Sequence, residues 1–382
     1  MADQQAKSGA PHYQHLGVYS DWVTAAQGQQ ALFPRAAPGS ATQKRVRDVL
    51  GFCHADETPK DVRVERRWQD GDLLGEEISW SVGFGPRTHA YVIKPVNATH
   101  PLPGIVALHD HSDYKFYGKE KIADGPTGEA PGLKGLRAIE YGGRSYVSAL
   151  ARAGFVVLAH DCFLWGSRRF PLETMIEAIG DHSVDPSPFT DVPPHIEHYN
   201  SIAAVHEHRV AKYGNVLGSS LAGVVSYEDR IATNYLSSRP DVIADKLGCI
   251  GLSGGGNRAA LLTATHARIA AAAIIGLMTT YEGLLDHNLS HTWMLFPFVW
   301  SRYGDWPDLA ACRAPRPLLV QYDLDDSLFT EAGMRAADAR LAQHYASVGQ
   351  PKNYVGQFYP GPHKFDLTMQ AAAFSWLERQ LK

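Results

Sequence analysis

Cysteine is scarce in this chain: four in 382 residues, Cys53, Cys162, Cys249 and Cys312, all far apart. No C-x-x-C pair occurs, so neither a zinc knuckle nor a disulfide framework is indicated. Cys249 falls in an apolar run, where a free thiol acts as a small hydrophobe. Long apolar runs are missing, so no membrane-spanning helix is expected. An excess of one charge is missing too. Lys and Arg number 36 against 40 Asp and Glu, for a net charge of -4. With no basic stripe, nucleic acid is not an expected partner. The first residues, Met1-Ala2-Asp3-Gln4-Gln5, are polar and lack the charged-then-apolar pattern of an export signal. The expectation is a cytoplasmic protein, in which the sequons Asn97-Ala98-Thr99 and Asn288-Leu289-Ser290 are chance matches.

What remains is ordinary globular composition, 45% hydrophobic and 20% charged, with no internal repeat. Residues 1–60 read as an extension, broken at Pro34, Pro38 and Gly39, with a short helix from about Thr42. From Asp61 the period changes. Val62, Val64, Ile78, Trp80, Val82, Ala90 and Val92 alternate with polar residues, as antiparallel strands at a sheet edge would. Six apolar runs follow in the style of buried parallel strands: Gly104–Leu108, Phe155–Ala159, Leu247–Leu252, Ala271–Ile275, Pro317–Val320 and Tyr354–Phe358. Helical segments separate most of them, among them Tyr146–Ala153, Arg258–Ala267 and Glu331–Ser347. The expected architecture is α/β: a mainly parallel sheet with antiparallel N-terminal edge strands and helices on both faces. Residues 61–382 would form one domain. Two connections, at about 162–225 and 277–315, are too long for simple crossovers and read as lid-like insertions. The first carries Pro186, Pro188, Pro193 and Pro194. The second carries Trp293, Phe296, Phe298, Trp300, Tyr303 and Trp306, which serve either as lid packing or as a substrate wall.

Gly251-Leu252-Ser253-Gly254-Gly255 reads G-x-S-x-G between an apolar run and a helical segment. That is the strand–turn–helix setting of a nucleophile elbow. The turn strains the serine backbone, and the flanking glycines remove Cβ atoms that would collide there. The bland alternative is a glycine-rich turn with a chance serine. A serine hydroxyl needs a base, and the base needs a partner to fix its tautomer. His363 lies in the loop Tyr359-Pro360-Gly361-Pro362-His363, after the last strand and before a C-terminal helix, Leu367–Leu381. Three acids follow the preceding strand. Asp323 ends the strand itself. Asp326 is the preferred partner, because the side chain must reach across from the loop apex, and Asp325 is second.

Acyl transfer also needs two donors for the developing oxyanion. The Gly254 N–H is one. The second should come from His109-Asp110-His111-Ser112-Asp113, with the His111 N–H as the candidate. Neighbouring Tyr114, Lys115 and Tyr117 shape the pocket. A rival chemistry exists in the same segment. His109-x-His111-x-Asp113 matches most of a dinuclear zinc motif, with Tyr114 in place of its last histidine. His195, His198, His206 and His208 add imidazoles at positions read as surface or lid. Zinc leaves the serine elbow unexplained.

Several segments together resemble the α/β-hydrolase superfamily, in particular its dienelactone-hydrolase and acetyl-xylan-esterase-like branch. They are Leu108-His109-Asp110-His111, Asp161–Arg168 with Trp165-Gly166, Tyr235–Val242, the Ser253 elbow, Leu328-Phe329 and Pro360-Gly361-Pro362-His363. The resemblance covers roughly residues 60–382. It implies ester hydrolysis through an acyl-enzyme without metal or organic cofactor, on a small ester such as an acetylated sugar. Tyr114, Trp165, Trp293 and Trp300 are then candidate substrate contacts. Dienelactone hydrolases proper use a cysteine nucleophile, so Ser253 points to the esterase side. Two departures stand out: Asp323 where a turn glycine is usual, and Ser112-Asp113 where a glycine pair is usual. Peptidase or amidase chemistry on the same fold, a zinc hydrolase, and a catalytically silent binding protein are the alternatives. A homo-oligomer is compatible with all of them.

Overall fold

The apolar runs are strands of a single nine-stranded sheet. In the computed structural model the described residues are 13–52, 55–181, 187–285, 289 and 291–382. Cys53, Pro186, Asn288 and Ser290 lie outside them. The strands are β1 (Lys60–Asp70), β2 (Leu73–Ser81), β3 (Thr88–Pro95), β4 (Leu102–Leu108), β5 (Val156–His160), β6 (Val242–Leu252), β7 (Ile269–Ile275), β8 (Leu318–Asp323) and β9 (Tyr354–Tyr359). Their spatial order is β1-β2-β3-β5-β4-β6-β7-β8-β9. The pairs from β5 to β9 are all parallel, and β1, β2 and β3 add an antiparallel edge.

The two-residue period of a strand divides the core into two layers. Ile105, Ala107, Val157, Ala159, Ile250, Leu252, Ala273, Ile275 and Leu319 face one side. Val106, Leu108, Val156, Leu158, Cys249, Ala272, Ile274, Leu318 and Val320 face the other. Helices Tyr146–Arg152 and Leu367–Leu381 cover the first layer, and Leu221–Ser238 and Gly254–Thr265 the second. Each fully buried aliphatic side chain contributes about 1.5–3 kcal/mol to holding these layers. Cys162, Cys249 and Cys312 are free and buried among them.

Ile78, Trp80, Ala90 and Val92 are buried as expected at the edge, but Ser79, Tyr91 and Ile93 are buried too. So β2 and β3 are covered on both faces rather than alternating, and β1 is exposed along nearly all of its length. Val62 and Val64 are 42% and 45% exposed. Among the described residues β1 is the edge strand and pairs with β2 alone. Arg63, Glu65, Arg66 and Arg67 line it, a charged edge that discourages pairing with another sheet.

The first long connection is largely helical, and the second carries shorter helical pieces. Between β5 and β6 stand helices Leu172–Ile179, Pro194–Val216 and Leu221–Ser238. Between β7 and β8 stand the short helices Tyr281–Leu285 and Trp306–Ala311, with single turns at Trp293–Leu295 and Trp300–Arg302. Among the described residues, no helix is long and apolar enough to cross a membrane.

Candidate active site

Ser253 sits between β6 and helix Gly254–Thr265 with φ 57° and ψ −120°, a left-handed backbone that a serine adopts only under constraint. Its N–H donates to the Ile275 carbonyl at 2.9 Å, and its carbonyl accepts from the Asn257 N–H at 2.9 Å. The helix begins four residues before the apolar pattern suggests, because the turn itself is its N-terminus. The glycines around it are steric requirements. A Cβ on Gly251 would lie 2.5 Å from the Gly255 backbone, and one on Gly255 would run into the Leu108 carbonyl.

His363 and Asp326 meet at the ends of β9 and β8. His363 Nδ1 is 2.6 Å from Asp326 Oδ2, and Asp326 Oδ1 accepts from the Leu328 N–H at 2.8 Å. The other two acids hold the backbone on either side of the imidazole. Asp325 accepts from the Gly361 N–H at 2.7 Å and Asp323 from the Lys364 N–H at 3.1 Å. His363 Nε2 is buried and has no hydrogen-bond partner among the described residues. Burial disfavours the His363 cation, but the hydrogen bond and charge of Asp326, with Glu140 and Asp323 behind them, outweigh it and raise its pKa to about 9. Burial pushes Asp323 up to about 7, against the Lys364 N–H and the His363 charge.

The loop after β4 lies against the Ser253 turn. A Cβ on Gly254 would stand 2.7 Å from His111 N, so the backbone nitrogen of His111 is close beside Gly254. This loop has no glycine pair, yet Ser112 (φ 47°) and Asp113 (φ 49°) both take the left-handed conformation. Beneath it, Lys121 Nζ donates to the Asp110 carboxylate at 2.7 Å and to the Asp110 carbonyl at 2.6 Å. Arg258, fully buried on the helix after Ser253, donates to the His109 carbonyl at 3.3 Å and to Asp229 at 2.7 Å.

Ser253, Gly254, His111 and His363 line one cavity of about 600 Å³. The first long connection adds Phe189, Glu207 and His208 to its wall, and the second adds His291, Thr292 and Trp293. Of the aromatic residues expected at a substrate, Trp293 is there, with its Nε1–H donating to His208 Nδ1 at 2.8 Å. Tyr114 is instead buried beside an adjoining cavity of about 250 Å³. Trp300 and Trp165 are corrections: both are fully buried and line none of these spaces. Trp300 belongs to the core, with its indole N–H on the Asp305 carbonyl at 3.1 Å. Trp165 packs against the loop after β4, its ring edge-on to His111 at 5.2 Å.

The histidines of the zinc alternative point to separate partners. His109 Nδ1 is 2.9 Å from the Asp110 carbonyl and Nε2 is 3.6 Å from Cys162 Sγ, while His111 Nε2 is 2.8 Å from Glu207. Among the described residues, the one group of three metal-ligating side chains that comes together is Asp323, Asp326 and His363.

Two buried carboxyl groups at the cavity escape a sequence reading. Glu140 receives the Ser112 hydroxyl, 2.7 and 2.9 Å from its two oxygens. Burial and then the negative charge of Asp110 push its pKa up to about 8, against the opposing pull of His363 and Ser112. Glu207 is also buried, but the Lys115 ammonium and His111 hold it well below the usual carboxylate range. Neither lies in a motif. The one available signal for Glu207 is its place on the inward stripe of helix Pro194–Val216, with Ile196, Tyr199, Ile202 and Ala203.

No protein-family model matches the chain. A Bacillus subtilis (strain 168) protein named "Putative hydrolase YtaP" is 23% identical over 301 residues, 78% of this chain and 85% of that one. Among solved structures, an acetyl xylan esterase candidate from Bacteroides fragilis NCTC 9343 superposes with a TM-score of 0.62 at 16% identity, over 84% of this chain and 73% of that one. A methylesterase, BT1017, superposes with a TM-score of 0.59 at 18% identity over 89% of this chain, which spans 64% of that protein's length. A glucuronoyl esterase from Solibacter usitatus gives 0.58 at 14% identity over 99% and 96% of the two chains. Sheet order, elbow and neighbours agree: this chain has the α/β-hydrolase fold.

Proposed function

We propose that the protein is a serine carboxylesterase that hydrolyses small acyl esters through an acyl-enzyme. The observation that carries the reading is a single cavity lined by a serine on a strained strand–helix turn and by a histidine whose far nitrogen is bonded to a buried carboxylate. Ser253 Oγ attacks the ester carbonyl. His363 takes the hydroxyl proton on Nε2 and passes it to the leaving alcohol, while Asp326 fixes the Nδ1–H tautomer and stabilises the imidazolium. The N–H groups of Gly254 and His111 receive the oxyanion. One such donor contributes about 100- to 1,000-fold in rate. Water then repeats the sequence on the acyl group.

The cavity, about 600 Å³, is of a size for a sugar ring bearing a short acyl group. Structural neighbours named as an acetyl xylan esterase candidate and a glucuronoyl esterase favour esters of carbohydrates. In this reading residues 61–382 form the catalytic domain, residues 1–60 extend it, and the insertions at about 162–225 and 277–315 wall the substrate. The test is turnover of a panel of nitrophenyl and sugar esters varied in acyl and alcohol parts. Short acyl esters should be turned over and Ser253→Ala should abolish the activity. Undiminished turnover by Ser253→Ala overturns the proposal.

A further inference from the structure

We propose that Glu207 is a positioning residue that sets the oxyanion hole by locking the loop from His109 to Lys115. The inference rests on the serine-esterase reading and adds a residue to it.

The loop stores strain. Ser112 and Asp113, neither of them glycine, hold consecutive left-handed backbones at φ 47° and 49°. Such conformations are unfavourable for a residue with a Cβ and persist only where the surroundings over-determine them. The surroundings are visible. Ser112 is tied to Glu140 and the Asp110 segment to Lys121. The Asp113 N–H donates to His111 Nδ1 at 3.1 Å. His111 Nδ1 is thereby an acceptor, so its proton resides on Nε2 and is donated to Glu207 at 2.8 Å. The ring of His111 thus ties the strained Asp113 backbone to one carboxylate, and the backbone nitrogen of the same His111 lies close beside Gly254 in the Ser253 turn.

Glu207 is the hub. One oxygen takes His111 Nε2 and Lys115 Nζ, each at 2.8 Å. The other takes the Thr292 hydroxyl at 2.9 Å and the Trp293 N–H at 3.1 Å. Four donors from two separate segments converge on a side chain that is 5% exposed. Glu207 stands on the first insertion, Thr292 and Trp293 on the second, and His111 and Lys115 on the oxyanion loop. Without the carboxylate, Lys115 becomes a buried, unpaired charge and the loop loses the bond that opposes its strain.

The experiment compares the full-length wild type, Glu207→Gln, Glu207→Ala, and Glu207→Gln combined with Asp113→Gly. Glycine accepts φ 49° freely and leaves the Ser112–Glu140 contact in place. The readouts are kcat and KM on a short nitrophenyl ester and the inhibition constant of a boronic acid, which forms a tetrahedral adduct. A displaced oxyanion donor lowers kcat by about 10- to 100-fold, leaves KM within about twofold, and weakens the boronic acid in proportion to kcat/KM. Asp113→Gly recovers most of the loss. Should Glu207→Ala not fold, Glu207→Gln carries the test, because it keeps the side-chain shape. A folded Glu207→Gln with kcat within about twofold of wild type overturns the proposal, as does a loss confined to KM or one that Asp113→Gly leaves untouched. Ser253→Ala, assayed alongside, separates the two levels. Full activity in Ser253→Ala sinks the esterase mechanism itself, whereas an inactive Ser253→Ala beside an unaffected Glu207→Gln sinks the positioning role alone.

Discussion

Asp326 Oδ2 lies 2.6 Å from His363 Nδ1, while Asp325, one residue earlier, bonds only the backbone two residues before that histidine. Neighbouring carboxylates therefore have different tasks. Asp326→Asn should reduce kcat by about 1,000- to 10,000-fold, because the amide favours the wrong imidazole tautomer. Asp325→Asn should cost less than about tenfold, since its side chain is exposed and can still accept from Gly361. Steady-state kinetics on a short nitrophenyl ester check both.

The pH profile follows from the charge around His363. A general base must be neutral. Burial lowers the His363 pKa, but Asp326, with Glu140 and Asp323 behind it, outweighs that effect and raises the pKa to about 9. The kcat/KM profile should therefore climb on the alkaline side of 6.5, the ordinary histidine value, rather than level off there. Ionised Glu140 is one of the groups that lifts His363, so Glu140→Gln should move the inflection to lower pH.

Stability should carry the signature of Glu140. Its pKa is about 8 in the fold against an ordinary 4.5. Between these values the folded protein keeps a proton that the unfolded chain releases, so this group's contribution to stability falls as pH rises. His363 works in the same direction: its contribution is complete below 6.5 and is lost as pH rises through about 9. Thermal unfolding across that range should show Glu140→Gln gaining on the wild type with rising pH.

The tryptophans separate packing from binding. Trp300→Ala should lower stability by about 3–5 kcal/mol while leaving KM near its wild-type value in folded protein, because the ring lies in the core. Trp293→Ala should raise KM several-fold with a smaller stability loss, because that ring lines the cavity. Denaturant unfolding and KM measured together distinguish the two.

The parallel sheet was legible because β4 to β8 are buried on both faces, which writes continuous apolar runs such as Ile105–Leu108 and Ala271–Ile275 into the chain. Gly251-x-Ser253-x-Gly255 was legible because close backbone packing leaves room for nothing larger. Helix Pro194–Val216 is hard to read in the sequence because its inward stripe turns polar at His206 and Glu207, of which Glu207 lines the cavity. Trp300 and Trp165 misled for a related reason. An aromatic residue in a long connection looks the same whether it faces a cavity or a core, and only the path of the chain decides. The left-handed pair Ser112 and Asp113 carries no glycine signal, since side-chain bonds rather than residue type hold it.

Ester turnover by this protein should pass through a covalent acyl group on Ser253. Mass spectrometry of protein quenched during turnover of a slowly deacylating aryl ester measures it directly. One acyl group per chain is expected, located by peptide mapping on Ser253 and missing from Ser253→Ala. Efficient turnover with no acylated protein at any quench time, or with the acyl group on another residue, would contradict it.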